Sequence, residues 1–300
     1  MTYSEARQCA HRFRVLTGLT TEEFDQLLSD FQAAYQEDLH QRQSKPRQRA
    51  QGAGRKSALA TCEDKLFFIL FYFRHYPTQE VLACWFGFSQ GQANHWIHRL
   101  TPILQQVLGQ ERQLPARSAA DLEEVLEFCD DPEFIIDGTD RPTRRPQDSE
   151  QQREEYSGRK KRHTKKNIVL TEKASGEVLG LGATQPGSHH DKSCADEEGY
   201  TFPEGSILYQ DTGFQGYTPE GTTTIQPTKK PRGQELTAQQ KAENRKISQE
   251  RVGVEHSLAG IKIFQIVSTV FRNIKKGFVD LVMEVACGLF NLCRTCRRTV

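Results

Sequence analysis

Long apolar runs are missing from this sequence. The longest, Leu66 to Phe73, holds eight residues, far short of the roughly 20 that a membrane-crossing helix needs. The opening MTYSEARQCAHRF lacks the apolar centre of a secretory leader. A surplus of one charge is missing too. The formal net charge is +1, so the average composition neither demands nor excludes a charged partner. The eight cysteines are scattered over 300 residues, which points to a soluble chain in a reducing compartment rather than a disulfide framework. Cys293 and Cys296 form one Cys-x-x-Cys pair, and structural zinc takes four ligands, so the pair reads as packed on a helical tail. There is no Gly-x-Ser-x-Gly elbow and no Gly-x-Gly-x-x-Gly after a strand, which removes two common enzyme classes. The GAGRKS stretch carries Arg55 where a phosphate-binding loop needs glycine. His189 and His190 are adjacent, whereas ligation from one helix face wants a spacing of four. SHHD therefore reads as a helix start, with Ser188 or Asp191 as its cap. No internal repeat is present.

What is there is unevenly distributed. Between His40 and Cys62 stand six basic residues and no acid, among them Arg47, Arg49, Arg55 and Lys56. Between Arg141 and Lys166 there are ten Lys/Arg against four acids. Clustered cations on a near-neutral chain suit local contact with a polyanion; a solvated linker is the alternative for either run.

The chain length suits two folded units or one large domain. Thr20-x-x-Glu23 is a capping box ahead of Phe24, Leu27, Leu28 and Phe31, and predicts a helix to about Leu39. The first segment thus spans residues 1–40, and a basic linker fills 41–56. Residues 57–110 predict a helical trio. The first helix follows Thr61 and stops at Pro77. The second covers Gln79 to Phe86 and ends at Gly87. The third opens with the Ser89-x-x-Gln92 box. Two helices across a tight glycine turn make a helix-turn-helix pattern. Ala93, Trp96, Ile97 and Leu100 of the third helix should face inward, leaving Gln90, Asn94, His95 and His98 outward, and Gln and Asn suit adenine edges in a major groove. From Ser57 to Val107 the charges cancel, three against three, so the linker would have to supply most of the electrostatic affinity. A plain helical bundle is the competing reading.

From about residue 130 to residue 300 the pattern is α/β. Short strands are predicted at Phe134–Ile136, Ile168–Leu170, Val178–Leu181, Ile207–Tyr209 and Thr222–Ile225. Thr237-x-x-Gln240 caps a long helix running to about Phe264, and a last helix carries Phe278, Val282, Val285, Leu289 and Leu292. Asp137 and Asp211 each stand directly after a strand, where a sheet presents ligands to solvent, though Asp-Gly also marks plain turns. Glu255 lies within the long helix, with Arg251 four before it and Lys262 seven after it on the same face. One carboxylate between two cations is a surface ion-pair ladder or, alternatively, what a metal site acting on phosphodiesters wants.

These motifs bring a family into view. The chain resembles transposases of the IS5 group, bacterial relatives of the Harbinger elements, over nearly its whole length. VLTGLTTEEFDQLL is similar to that family's opening helix, and DKLFFILFYFRHYPTQEVLACWFGFSQGQANHWI to its helix-turn-helix. FIIDGTD, PGSHHDKS, YQDTGFQGY and Arg251-x3-Glu255-x6-Lys262 resemble its later motifs in order. Where some related groups have tyrosine, this chain has Ser248, to which no role is assigned. The resemblance implies a ribonuclease-H-like mixed-sheet catalytic domain with a basic insertion at 141–166, behind an all-helical helix-turn-helix region. It implies Asp137, Asp211 and Glu255 as ligands of two Mg²⁺ ions, with Mn²⁺ as a substitute and Asp137 between the two. Arg251 and Lys262 would steady phosphates. The partners implied are double-stranded DNA, both transposon ends and target, and a second copy of the chain in a dimer on DNA. The location implied is the bacterial cytoplasm at the nucleoid. The activity implied is cleavage at transposon ends and 3′-hydroxyl strand transfer. A domesticated DNA-binding protein without cleavage, and a Mg²⁺-dependent endonuclease without strand transfer, are the alternatives.

Overall fold

A computed structural model describes residues 2–42, 57–129, 132–231 and 233–298. The linker cations Arg47, Arg49, Arg55 and Lys56 lie outside the described residues. The helices are α1 (Tyr3–Arg7), α2 (Ala10–Thr17), α3 (Thr21–Gln41), α4 (Cys62–His75), α5 (Gln79–Phe86), α6 (Gln90–Gln110), α7 (Ala119–Glu127), α8 (Ser149–Glu155), α9 (Asp191–Glu198), α10 (Ala238–Ile261), α11 (Gln265–Ser268) and α12 (Phe278–Arg298). The strands are β1 (Glu133–Pro142), β2 (Tyr156–Ser157), β3 (Arg162–Glu172), β4 (Val178–Leu181), β5 (Gln185–Pro186), β6 (Ser206–Tyr209) and β7 (Thr222–Ile225). They fall into two compact units. The first comprises Met1–Leu114, Lys262–Thr269 and Leu281–Val300; the second comprises Pro115–Ile261 and Val270–Asp280.

The helical unit is built around α4. Every residue from Lys65 to Phe73 is buried, because that apolar run is wrapped on all sides rather than along one stripe. Capping boxes open α3, α4 and α6 at Thr20, Thr61 and Ser89, as the sequence predicts. Gly87 ends α5 in a left-handed conformation, φ 72°, which glycine adopts without strain. Buried Lys65 donates to the carbonyls of Leu59 and Thr61, both at 2.9 Å, and so satisfies its charge among the ends of the preceding loop. The tail of the chain returns to this unit. On α12, Gly288 packs closely against Leu108 and Leu114, and Asn291 Nδ2 donates to Gln113 O at 2.9 Å. Among the described residues no helix is long and apolar enough to cross a membrane.

The second unit carries a mixed sheet in the order β2-β3-β1-β6-β7, with β4 and β5 also pairing with β3. β1 runs antiparallel to β3 and parallel to β6, and β6 runs parallel to β7. Side chains alternate across β1. Phe134 and Ile136 enter a core with Leu122, Leu126, Cys194, Ala195 and Phe214, while Ile135 points at Gly253 of α10. Asp137 shares the face of Ile135.

The sheet differs from expectation in the reach of β1, which continues past Asp137 to Pro142. Asp-Gly had signalled a strand end, but Gly138 stays extended and pairs with Ile168. The segment 141–166 is accordingly not all insertion, because its two ends lie in β1 and β3. Arg141 is buried, with its guanidinium donating to Val279 O at 2.7 Å and Thr184 Oγ1 at 3.0 Å. That cation is part of the core.

Candidate active site

The two aspartates are brought together by the pairing of β1 with β6. Ile135 pairs with Tyr209 across the parallel β1–β6 edge. Asp137 and Asp211 each stand two residues past that last pair, Asp137 still within β1 and Asp211 just beyond the end of β6, and they are close enough to repel one another. β6 ends at Tyr209, so Asp211 stands at the start of a 3-10 turn, where its Oδ1 accepts from Gly213 N at 2.6 Å. Asp137 is mostly buried and accepts from Gly138 N at 2.9 Å. Its carboxyl is pushed up to about 6 chiefly by burial, opposed by Arg251, with Asp211 and Asp191 adding their repulsion. Arg251 Nη2 stands 3.8 Å from Asp137 Oδ1, and Arg251 Nε is buried with no hydrogen-bond partner among the described residues.

Asp191 is the residue that sequence reasoning missed. Neither Ser188 nor Asp191 caps α9. His190 occupies the cap position without a side-chain bond, and Asp191 is the first helical residue. Its carboxylate is taken instead by Lys166, 2.7 Å away, whose Nζ also donates to His189 O at 2.6 Å. A Cβ on Gly138 or on Gly213 would lie 2.6 Å from one or other Asp191 oxygen. Both glycines therefore serve to admit this third acid. The usable signal was the pair of glycines following the two candidate aspartates.

α10 is pinned from both sides. Ser257 Oγ donates to Gly176 O at 2.7 Å, on the β3–β4 turn. Lys173 bridges Glu133 of β1 and Glu250 of α10 at 2.5 and 2.8 Å. Arg251 and Glu255 follow one turn apart at the edge of the buried face formed by Val254, Ser257, Leu258 and Ile261. Glu255 is exposed. The structure thus brings Asp137, Asp211, Asp191 and Arg251 together, and leaves Glu255 at the edge of the same helix. α10 stops at Ile261, short of the expected Phe264. Lys262 therefore lies one residue beyond it, in the helical unit, rather than on a shared helix face.

In the helical unit, Ala93, Ile97 and Leu100 of α6 are buried, as expected. Trp96 is only half-buried, with the Lys65 and Arg99 cations over its ring at 5.8 and 5.5 Å. Gln90 and His95 are exposed, and Asn94 and His98 are half-buried. Gln90 Nε2 and Asn94 Nδ2 both donate to Gln79 Oε1, at 2.9 and 3.3 Å, so α5 holds the amides of α6 in one cluster.

A family model for the DDE superfamily endonucleases matches residues 136–291, more than half of the chain. The chain belongs to the DDE superfamily endonucleases. The helix-turn-helix model of the same superfamily matches residues 57–110. The chain is also 26% identical over 293 residues to a protein of Microchaete diplosiphon described as the probable transposase for insertion sequence element IS702. That match covers 97% of this chain and 98% of the relative. No solved structure matches the chain.

A DDE superfamily endonuclease implies a divalent metal, and the donors here suit one in kind. Asp137 and Asp211 supply hard oxygens, and they stand close enough to repel one another. Among the described residues no group of three or more His, Cys, Asp or Glu side chains is already arranged as a metal site. The nearest cations, Arg251 and Lys166, instead face Asp137 and Asp191.

Proposed function

We propose that this DDE superfamily endonuclease is the transposase of an insertion element of the IS5 group, with a ribonuclease-H-like catalytic domain, acting as a dimer on double-stranded DNA. The observation that carries the reading is the gathering of Asp137 and Asp211, from the neighbouring parallel strand β1 and the end of β6, beside Arg251. Asp137 and Asp211 would hold Mg²⁺ together with Glu255, which a side-chain movement at the edge of α10 would have to bring in. When bound, the metal supplies Lewis-acid stabilisation of charge on the reacting phosphate and its oxygens.

The chain's own groups do the rest. Arg251, whose buried Nε has no hydrogen-bond partner among the described residues, would turn its guanidinium toward a phosphate oxygen, a geometry that group suits. Lys166 holds Asp191 in place beside the two aspartates. α6 would present Gln90, Asn94, His95 and His98 to the element's end, with Arg47, Arg49, Arg55 and Lys56 on the backbone. In the first step water attacks the phosphodiester at the element's end and a 3′-hydroxyl leaves. In the second that 3′-oxygen bonds to a target phosphorus, the target strand's own 3′-oxygen departs, and the attacking proton goes to solvent.

The test uses duplexes carrying the element's end with Mg²⁺. Cleavage and joined product are expected from the parent chain, and both should vanish in Asp137→Asn and Asp211→Asn with binding retained. Cleavage without joined product would favour a simple endonuclease. Binding without either would favour a domesticated DNA-binding protein.

A further inference from the structure

The second unit holds an open cleft of about 900 Å³ that plays no part in the site above. Two stretches far apart in sequence form it. One is the start of the insertion after β1; the other is the segment between Phe271 and Val279. They are joined by backbone, because Phe271 N donates to Pro142 O at 2.8 Å and Thr143 and Phe271 form an isolated parallel bridge. The cations lining the cleft are Arg144, Arg145, Lys165, Arg272, Lys275 and Lys276, against two acids, Asp148 and Glu155.

Both acids are already committed. Asp148 caps α8, accepting from Glu150 N and Gln151 N at 3.0 and 2.9 Å. Glu155 is held by Lys165 at 2.6 Å and by Thr143 Oγ1 at 3.2 Å. Arg144, Lys275 and Lys276 are exposed, and among the described residues none has a carboxylate within ion-pair distance. Like charges gathered in a concavity repel, and the compensation on offer is an anion with many charges. Ile274, 94% exposed, stands among them, an apolar contact that suits a sugar edge.

We propose that this cleft is a second DNA-binding surface, gripping the phosphodiester backbone of a duplex on the catalytic unit, separate from the helix-turn-helix. It rests on the reading of the chain as a DNA-acting enzyme and gives that enzyme a hold on DNA beside its site. The separation is fixed by β1. Asp137 and Thr143 are six strand residues apart, hence about 20 Å at most. Duplex rises about 3.4 Å per base pair, so the cleft would meet the backbone within about six base pairs of the phosphate being cut.

The test is the salt dependence of binding by the full chain to a random-sequence duplex, in chelator so that no cutting occurs. Each phosphate contact contributes about 0.9 to the slope of log affinity against log salt. The variant R144A/K275A/K276A should bind more weakly and lose roughly 3 from that slope, with an unchanged melting temperature. The variant K229A/K230A/K241A, which removes three exposed cations elsewhere on the same unit, should change the slope much less. Equal loses in the two variants, or an unchanged slope in the first, would overturn the cleft. Cleavage of element ends is measured in parallel. Its absence from the parent, with the slope change present, would sink the enzymatic reading alone. An unchanged slope with cleavage intact would sink the cleft alone.

Discussion

Lys166 Nζ lies 2.7 Å from Asp191 Oδ1, with both side chains nearly buried beside Asp137. This pair sets a third carboxylate next to two others without leaving it uncompensated. Breaking it strands a buried charge, which typically costs about 3–5 kcal/mol. Lys166→Met should lower the melting temperature at neutral pH by an amount of that order. Lys166→Arg, which keeps the charge, should recover part of it. A Lys166→Met protein as stable as the parent would mean that the pair is incidental.

Gly138→Ala tests the same packing from the other side. Its Cβ would sit 2.6 Å from Asp191 Oδ1, and that oxygen is tethered. Overpacking costs about 1–3 kcal/mol, and Asp191 should be displaced from the site. Thermal melts and cleavage rates check this. Adding Asp191→Ala to Gly138→Ala should cost less than the two single losses added together, because the clash is relieved, but it leaves Lys166 without its carboxylate and activity low.

The buried Asp137 carboxyl gives a pH dependence with a definite sign. Its value in the fold is about 6, against an ordinary 3.8. The folded state therefore binds the proton more tightly than the unfolded chain does. The contribution to stability is complete below about pH 4 and is lost as pH rises through 6. The shift corresponds to on the order of 3 kcal/mol. Asp137→Asn should remove this dependence between pH 4 and 6 and be more stable than the parent at pH 7 without metal. An unchanged pH profile of melting in Asp137→Asn would show the carboxyl to be ordinary.

Metal binding should appear in the melting temperature independently of catalysis. A ligand at a hundred times its Kd stabilises by about 2.7 kcal/mol. Mg²⁺ or Mn²⁺ should raise the midpoint of the parent and not that of Asp137→Asn or Asp211→Asn. Glu255→Gln decides whether the exposed glutamate joins the site. If it does, the metal-induced rise shrinks; an undiminished rise removes Glu255 from the ligand set.

The amide cluster on α5 and α6 separates recognition from affinity. Gln90→Ala or Asn94→Ala should lower discrimination of the element's end over random duplex by about 1–3 kcal/mol if either makes a bidentate base contact. Gln79→Ala should lower it less, since it frees the two amides without removing them. Competition binding measures both, and equal losses for specific and random duplex would turn these residues into backbone contacts.

Local signals read well from sequence wherever they rest on neighbouring residues. The capping boxes at Thr20, Thr61 and Ser89, the left-handed Gly87 and the inward face of α6 all follow from side chains within a turn of one another. The expected strands at 168–170, 178–181, 207–209 and 222–225 each lie within an observed strand for the same reason. Trp96 departs from the inward set and instead meets two cations over its ring, a contact no periodicity encodes. β1 runs on past Asp137 because an Asp-Gly pair has two uses, a turn or a gap for another side chain. Only the partner filling the gap tells them apart.

By itself, then, the sequence determined the helical caps, the apolar faces, the two candidate aspartates and the motif order that pointed to a DNA-acting family. Tertiary structure alone decided that Asp137 and Asp211 come together, because the β1–β6 pairing joins distant segments. It alone brought in Asp191, which is 54 residues from one candidate and 20 from the other and reaches them only through the space over Gly138 and Gly213. It also divided the cations. Arg141 went into the core, Lys166 to Asp191, and Arg144 into a cleft with Lys275 and Lys276. A charge count along the chain treats these residues alike, whereas burial and the distance to the nearest carboxylate set what each can do.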